Sequence, residues 1–225
     1  FVTIKKKYIK TTLKTLHYVI PGKSNKVIIL HAHNCHPFQA NDNISGCSVG
    51  IDVFRKLKKK NNYFTYILLI SPEIYGPLYW LKKNKKKYEF VGAIKVGSLG
   101  NDNIIKMQKS FTGKSFLDKI FAEEISKKFK KYKIGKYKQI WGNDEIVFES
   151  PGYEIPSITI TRYPFKEYHS DQDTPDKLKE LRLKEASNFI LSSLKNLERR
   201  KNLYLNQKKN KMKTIYTNNN NDLKF

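Results

Sequence analysis

The 225-residue chain is poor in cysteine, arginine and acidic residues, and it carries no long apolar run. Its two cysteines, Cys35 and Cys47, supply no disulfide framework. A reducing, cytoplasmic setting is the expectation that follows. No apolar stretch approaches the roughly 20 residues needed to cross a bilayer. The longest, Tyr66-Ile67-Leu68-Leu69-Ile70, has the length of a strand. No secretory signal pattern stands at Phe1. The chain starts on Phe rather than Met, and the expectation is a segment cut from a longer protein.

Acidic residues number 20 against 44 basic ones, a formal net charge of +24. Such a field favours anionic substrates or surfaces. It does not by itself make a nucleic-acid reader. Of the basic residues 39 are Lys and 5 are Arg, whereas base reading relies on the bidentate guanidinium fork. The lysines are spread along the chain, in company with Asn-rich stretches such as Asn218-Asn219-Asn220-Asn221. The runs at 83–87 and 127–133 read as solvated faces. No nucleic-acid module is recognisable.

Apolar runs and turn signals organise the chain. Residues 1–20 alternate weakly and end in the turn Pro21-Gly22, which predicts a strand pair. Val27–Leu30, Phe64–Ile70, Phe90–Val96 and Ser157–Thr161 read as buried strands. Ser45 to Lys60, Pro77 to Lys87, Phe116 to Phe129 and Leu183 to Leu197 carry helical stripes or lysine-rich helix ends. Alternating strands and helices predict an α/β fold: a mixed, largely parallel sheet with helices on both faces, a three-layer sandwich. Residues 1–203 are expected to form one domain. Residues 204–225, rich in Lys and Asn, are expected to be disordered.

The chemistry-bearing residues gather where such a sheet places its sites, at the carboxyl ends of strands. His31-Ala32-His33-Asn34-Cys35-His36 follows the first buried strand, with Asp42 shortly after. Glu73 follows the second, and His169 lies in the loop after the strand 157–161. Imidazole and carboxylate bind zinc directly, and a metal lowers the pKa of its bound water toward neutrality. His31 lies inside its strand, where core packing is the expected role, and His17 reads as structural. Ser45 stands where a helix N-cap would. Gly46 permits close backbone approach.

These residues, in order, resemble a family. His33, Asp42-Asn43-Ile44-Ser45-Gly46, Glu73 and Tyr168-His169-x-x-x-Asp173-Thr174 are similar to the blocks of zinc aminopeptidases of the bacterial leucyl aminopeptidase and glutaminyl cyclase type. Cys35-His36-Pro37-Phe38-Gln39-Ala40-Asn41-Asp42-Asn43-Ile44-Ser45-Gly46 resembles more closely the signature of a bacterial aminopeptidase-like group linked to polysaccharide biosynthesis. Trp141–Glu145, Ser150–Tyr153 and Glu167–His169 resemble its later blocks. The similarity spans about residues 10–195. It implies two metal positions that share Asp42. The first would take Asp42, Glu73 and His169, and the second His33, Asp42 and a later aspartate.

The chain departs from the family at three places. Val96-Gly97-Ser98 stands where the family has an aspartate, and Ser98 is a poor carboxylate substitute. Cys35 replaces the H-x-D aspartate. Pro72 replaces the first member of the family's glutamate pair, which takes a proton from water. One zinc is therefore the safer expectation, and two the alternative if His36 or Cys35 completes the second position. Glu73 is favoured as a ligand, which leaves Glu145 and Asp144 as replacement bases. The alternative makes Glu73 the base. Cys35 is either an ordinary buried thiol or a chemical participant. Asp171 and Asp173 either orient His169 or cap the turn before Pro175.

The resemblance implies a metal-dependent amide or peptide hydrolase acting on a peptide N-terminus or an acylated amino sugar. A catalytically degenerate binding protein is the first alternative. A basic nucleic-acid or surface binder is the second.

Overall fold

The computed structural model describes residues 2–202, 204 and 205. In chain order the elements are β1 (Leu16–Ile20), β2 (Lys26–His33), α1 (Ser45–Leu57), β3 (Thr65–Ser71), α2 (Tyr75–Asn84) and β4 (Glu89–Gly97). Then come β5 (Ile105–Gln108), α3 (Phe116–Lys128), β6 (Tyr132–Gly135), α4 (Glu145–Phe148), β7 (Ser157–Thr161) and α5 (Glu180–Arg199). The strands form one seven-stranded sheet in the order β1-β3-β2-β4-β7-β5-β6. The β3–β2–β4–β7 centre is parallel, while β1 and β5 run antiparallel to β3 and β7. This is the mixed, mostly parallel α/β sheet that the alternation of elements predicts.

The two faces carry different helices. Ile28, Leu30 and Ala32 of β2 join α1, α3 and α5 in the larger core, which includes Val53, Phe121, Phe189 and Ile190. Val27 and Ile29 of the same strand join Trp80, Leu81, Val147 and Phe148 of α2 and α4. Strand periodicity therefore assigns His31 and His33 to the α2–α4 side. Their register partners are Leu69 and Ser71 in β3, and His31 also pairs with Lys95 in β4. The parallel strands β2, β3, β4 and β7 end together at His33, Ser71, Gly97 and Thr161. The site lies on that edge.

Several expectations need correction. The N-terminal strand pair is a single strand, β1, against β3; residues 2–15 take no regular structure and are exposed. Lys5-Lys6-Lys7 leave that segment too few apolar residues to bury as a second strand. β5 and β6 did not stand out, because four-residue strands with charged members give little periodicity. Ser45 is not the N-cap, since Ile44 holds that position without a side-chain cap. At the proposed start of the disordered tail, Tyr204 and Leu205 are helical, and the Tyr204 ring lies 5.3 Å from Phe116. The rest of that expectation, from residue 206 on, falls outside the described residues. Among the described residues no helix is long and apolar enough to cross a membrane.

Candidate metal centre

The loop between β2 and α1 builds the centre. A helical turn over Ala40–Ile44 is broken at Asp42 (φ −115°, ψ 78°) and Asn43 (φ −148°, ψ 35°). Three side chains lace this turn to the end of β4. Asn41 Oδ1 accepts from Gly100 N at 2.8 Å, and Asn43 Nδ2 donates to Val96 O at 2.8 Å. Ser45 Oγ donates to Asn41 O at 2.6 Å and accepts from Leu99 N at 3.0 Å. Gly46 is required here. A Cβ on it would stand 2.3 Å from Asn43 Oδ1 and 2.6 Å from Val96 O.

Asp173 braces the turn from the other side. Its carboxylate accepts from Asn41 N at 2.7 Å and Asp42 N at 2.9 Å. Neither role considered for it, orienting His169 or capping the turn before Pro175, describes this. Among the described residues Asp171 bonds to Gln172 Nε2 alone, and it is exposed. The loop bearing His169 is thus tied to the loop bearing Asp42 across more than a hundred residues of sequence.

The result is a convergence of imidazoles on Asp42. His33 Nε2 lies 3.0 Å from Asp42 Oδ1, while His36 Nε2 and His169 Nε2 lie 3.6 Å and 3.4 Å from Oδ2. The buried atoms His33 Nε2, His36 Nε2 and Asp42 Oδ1 have no hydrogen-bond partner among the described residues. The His33–Asp42 approach is close yet makes no hydrogen bond among the described residues. Burial pushes the Asp42 carboxyl up, but adjacent His33, then Lys95 and His36, outweigh burial and hold it below the usual carboxylate range.

Among the described residues, three sets have candidate ligand atoms within 4.8 Å of one another. They are His36–Asp42–His169, His33–Glu73–Asp144 and His33–Cys35–His36. His33, His36, Asp42, Glu73 and His169 therefore come together at one strand edge, with Glu73 grouped with His33 and Asp144. Glu73 Oε1 lies 3.3 Å from His33 Nδ1, accepts a hydrogen bond from Asn143 Nδ2, and stays about one-third exposed. Cys35 is exposed rather than buried. His36, Pro37, Phe38, His169, Ser170 and Asp171 line an open cleft beside the centre.

The other acids are committed elsewhere. Asp144 Oδ2 lies 2.8 Å from His31 Nε2, and its Oδ1 accepts from Ile74 N at 2.6 Å. Burial raises Asp144, but His31 and Lys95 more than reverse this and bring it down to about 2. His31 packs in the core against Phe148, and its Nδ1 faces Leu69 O at 3.0 Å. Glu145 is buried and pushed up by that burial, against hydrogen bonds from Asn143 N. Asp102 pairs with Arg182 at 2.9 Å and is mostly exposed, so it supplies nothing to the gap at Ser98. Ser98 is fully buried, and its Oγ has no hydrogen-bond partner among the described residues.

Sequence reasoning missed Lys95. It is fully buried, its Nζ stands 3.5 Å from the Trp141 ring centroid, and it forms no hydrogen bond among the described residues. Burial draws it down to about 8, against the pull of Asp144, Glu145, Glu73 and Asp42. The signal was a lone charge inside the apolar run Val91-Gly92-Ala93-Ile94-Lys95-Val96.

A family model described as a domain of unknown function (DUF4910) matches residues 7–200. A Clostridium acetobutylicum protein, named for polysaccharide biosynthesis and an aminopeptidase-like domain, is 30% identical over 159 residues. That match covers 69% of this chain and 36% of the relative. A crystal structure named for a C. acetobutylicum peptidase superposes with a TM-score of 0.78 at 26% identity, over 82% of this chain and 44% of that one. BSAP, a zinc aminopeptidase from Bacillus subtilis, shares the fold with a TM-score of 0.67 at 17% identity, over 80% and 48%. The chain spans less than half the length of each of these three proteins.

Proposed function

The chain belongs to the DUF4910 family, and on that premise we propose that it is a metal-dependent amide hydrolase of the aminopeptidase-like kind, with zinc as its metal. The observation that carries this reading is the convergence of His33, His36 and His169 on Asp42, with buried nitrogen and oxygen atoms left unpartnered. Buried polar atoms seldom go unsatisfied. Imidazole nitrogens and a carboxylate held charged fit zinc in donor type. His36, Asp42 and His169 would hold the ion, with His33 beside them. When bound, zinc supplies Lewis-acid polarisation of a carbonyl and acidifies water.

The chain's own groups do the rest. Glu73 is the one acid of the set that is both accessible and free of a backbone donor, which suits it to accept a proton from water and return it to the leaving amine. This assigns Glu73 as base in preference to ligand. Asp144 is too acidic and too engaged for that task, and it fixes His31 and the Ile74 amide instead. Glu145 holds the turn at Asn143. Asn143 Nδ2 orients the Glu73 carboxylate. Asp173 keeps Asp42 aimed at the imidazoles.

The substrate class is an amide: a peptide N-terminus or, following the relative's name, an acylated amino sugar. Zinc-loaded protein should hydrolyse a member of a panel of aminoacyl anilides and N-acyl amino sugars, and Glu73→Gln should abolish this. A zinc-bound chain inert on the whole panel would favour the second reading, a degenerate binding protein. The buried Ser98 and Pro72 in place of family acids favour that alternative.

A further inference from the structure

Of the chain's 39 lysines, Lys95 is the one that is fully buried among the described residues. It sits in β4, in register with His31 of β2 and Thr159 of β7, so its side chain lies in the row that ends at the metal centre. Burying an ammonium without a hydrogen bond is costly unless charges of opposite sign compensate. The charges of Asp144, Glu145, Glu73 and Asp42 oppose the effect of burial on it, though none of the four forms an ion pair with it among the described residues, and Asp144 lies against His31 at 2.8 Å. It acts in return on Asp42, Asp144 and Glu145. Trp141 stacks on Tyr163 and takes the lysine against its ring, which shuts the ammonium off from water.

The family resemblance leads one to expect two divalent ions, yet the carboxylate that would serve the second is absent at Val96-Gly97-Ser98. The buried Lys95 stands one to three residues before that gap, in β4. One divalent ion and the ammonium together bring three positive charges against at most four negative ones, of which Asp144 already faces His31 and Glu145 is pushed up by burial. Two ions would leave the buried centre with surplus positive charge, which a low-dielectric site resists. We propose that Lys95 is the resident second cation of this centre, its single positive charge standing in place of a second divalent ion and limiting the chain to one. The inference rests on the zinc-site reading above.

The test is zinc titration of the 225-residue chain, stripped with chelator and followed by a competing chromophoric indicator, for the wild type, Lys95→Met, Lys95→Gln and Lys95→Arg. Met matches the lysine in reach and removes the charge. Because it replaces an unbonded buried ammonium, it should not impair folding, and circular dichroism checks this for each variant. The wild type and Lys95→Arg should bind one zinc. Lys95→Met and Lys95→Gln should bind zinc about tenfold more tightly or take up a second ion, because a repelling charge is gone. Two ions on the wild type, or unchanged affinity and stoichiometry in both neutral variants, would overturn the proposal while leaving the zinc site intact. No zinc on the wild type would overturn the zinc-site reading itself, and this inference with it.

Discussion

His33 Nε2 and Asp42 Oδ1 stand 3.0 Å apart, both buried and neither hydrogen-bonded, while the second oxygen of Asp42 faces His36 and His169. The four side chains come from the end of β2, the loop and turn between β2 and α1, and the loop after β7. They share a focus because the Asp173 carboxylate clamps the turn to the loop after β7, while three side chains lace the turn to the end of β4. A centre built this way depends on residues that touch no substrate.

Asp173 gives the sharpest case. Asp173→Ala would strand two buried backbone N–H groups, at Asn41 and Asp42. The expected cost is about 2 kcal/mol of stability, read by urea denaturation. Zinc affinity should fall roughly 10- to 100-fold, as for other supporting partners of ligands.

Glu73→Gln separates the two roles open to that residue. As a base, its loss should cut turnover by about 10²- to 10⁴-fold with zinc content unchanged. Zinc loss in this variant would mark Glu73 as a ligand.

Asp144 ties acid stability to the core. Its folded pKa is about 2, below the ~3.9 of an unfolded aspartate. The stabilisation is complete above the unfolded value and is lost as pH falls toward 2. It amounts to between about 2 and 3 kcal/mol by linkage. Denaturation curves between pH 5 and 2 should therefore be steeper in pH for the wild type than for Asp144→Asn.

Lys95 acts in the opposite pH range. Its folded pKa, about 8, lies below the ~10.4 of a free lysine. Between the two the unfolded chain binds the extra proton, so stability rises with pH, by about 3 kcal/mol at most. In metal-free protein, Lys95→Met should be more stable than the wild type below pH 8, and the gap should close toward pH 10.5.

Much of this was readable in the residues, for physical reasons. β2, β3 and β4 carry apolar runs, and β7 carries the β-branched series Ser157-Ile158-Thr159-Ile160-Thr161, because the sheet buries them on both faces. His33 and Glu73 were legible as candidates because they close or follow those runs, and Asp42 and His169 because they lie in the loops beyond them. His36 could not be ranked, since its place depends on the bend at Asp42 and Asn43. The role of Asp173 was hidden by its distance in sequence from the amides it holds. Lys95 read as part of a strand, because nothing local shows that four acids from elsewhere will surround it. β5 and β6 escaped notice because Lys106 and Lys133 interrupt strands only four residues long.

Metal analysis with X-ray absorption at the zinc edge tests the central claim most directly, on the wild type, Asp42→Ala and His169→Ala. The wild type should hold one zinc per chain, with nitrogen and oxygen ligands at about 2.0–2.2 Å, and both variants should lose it while staying folded. A folded wild type that takes up no zinc, or two variants that retain it with an unchanged spectrum, would contradict the account.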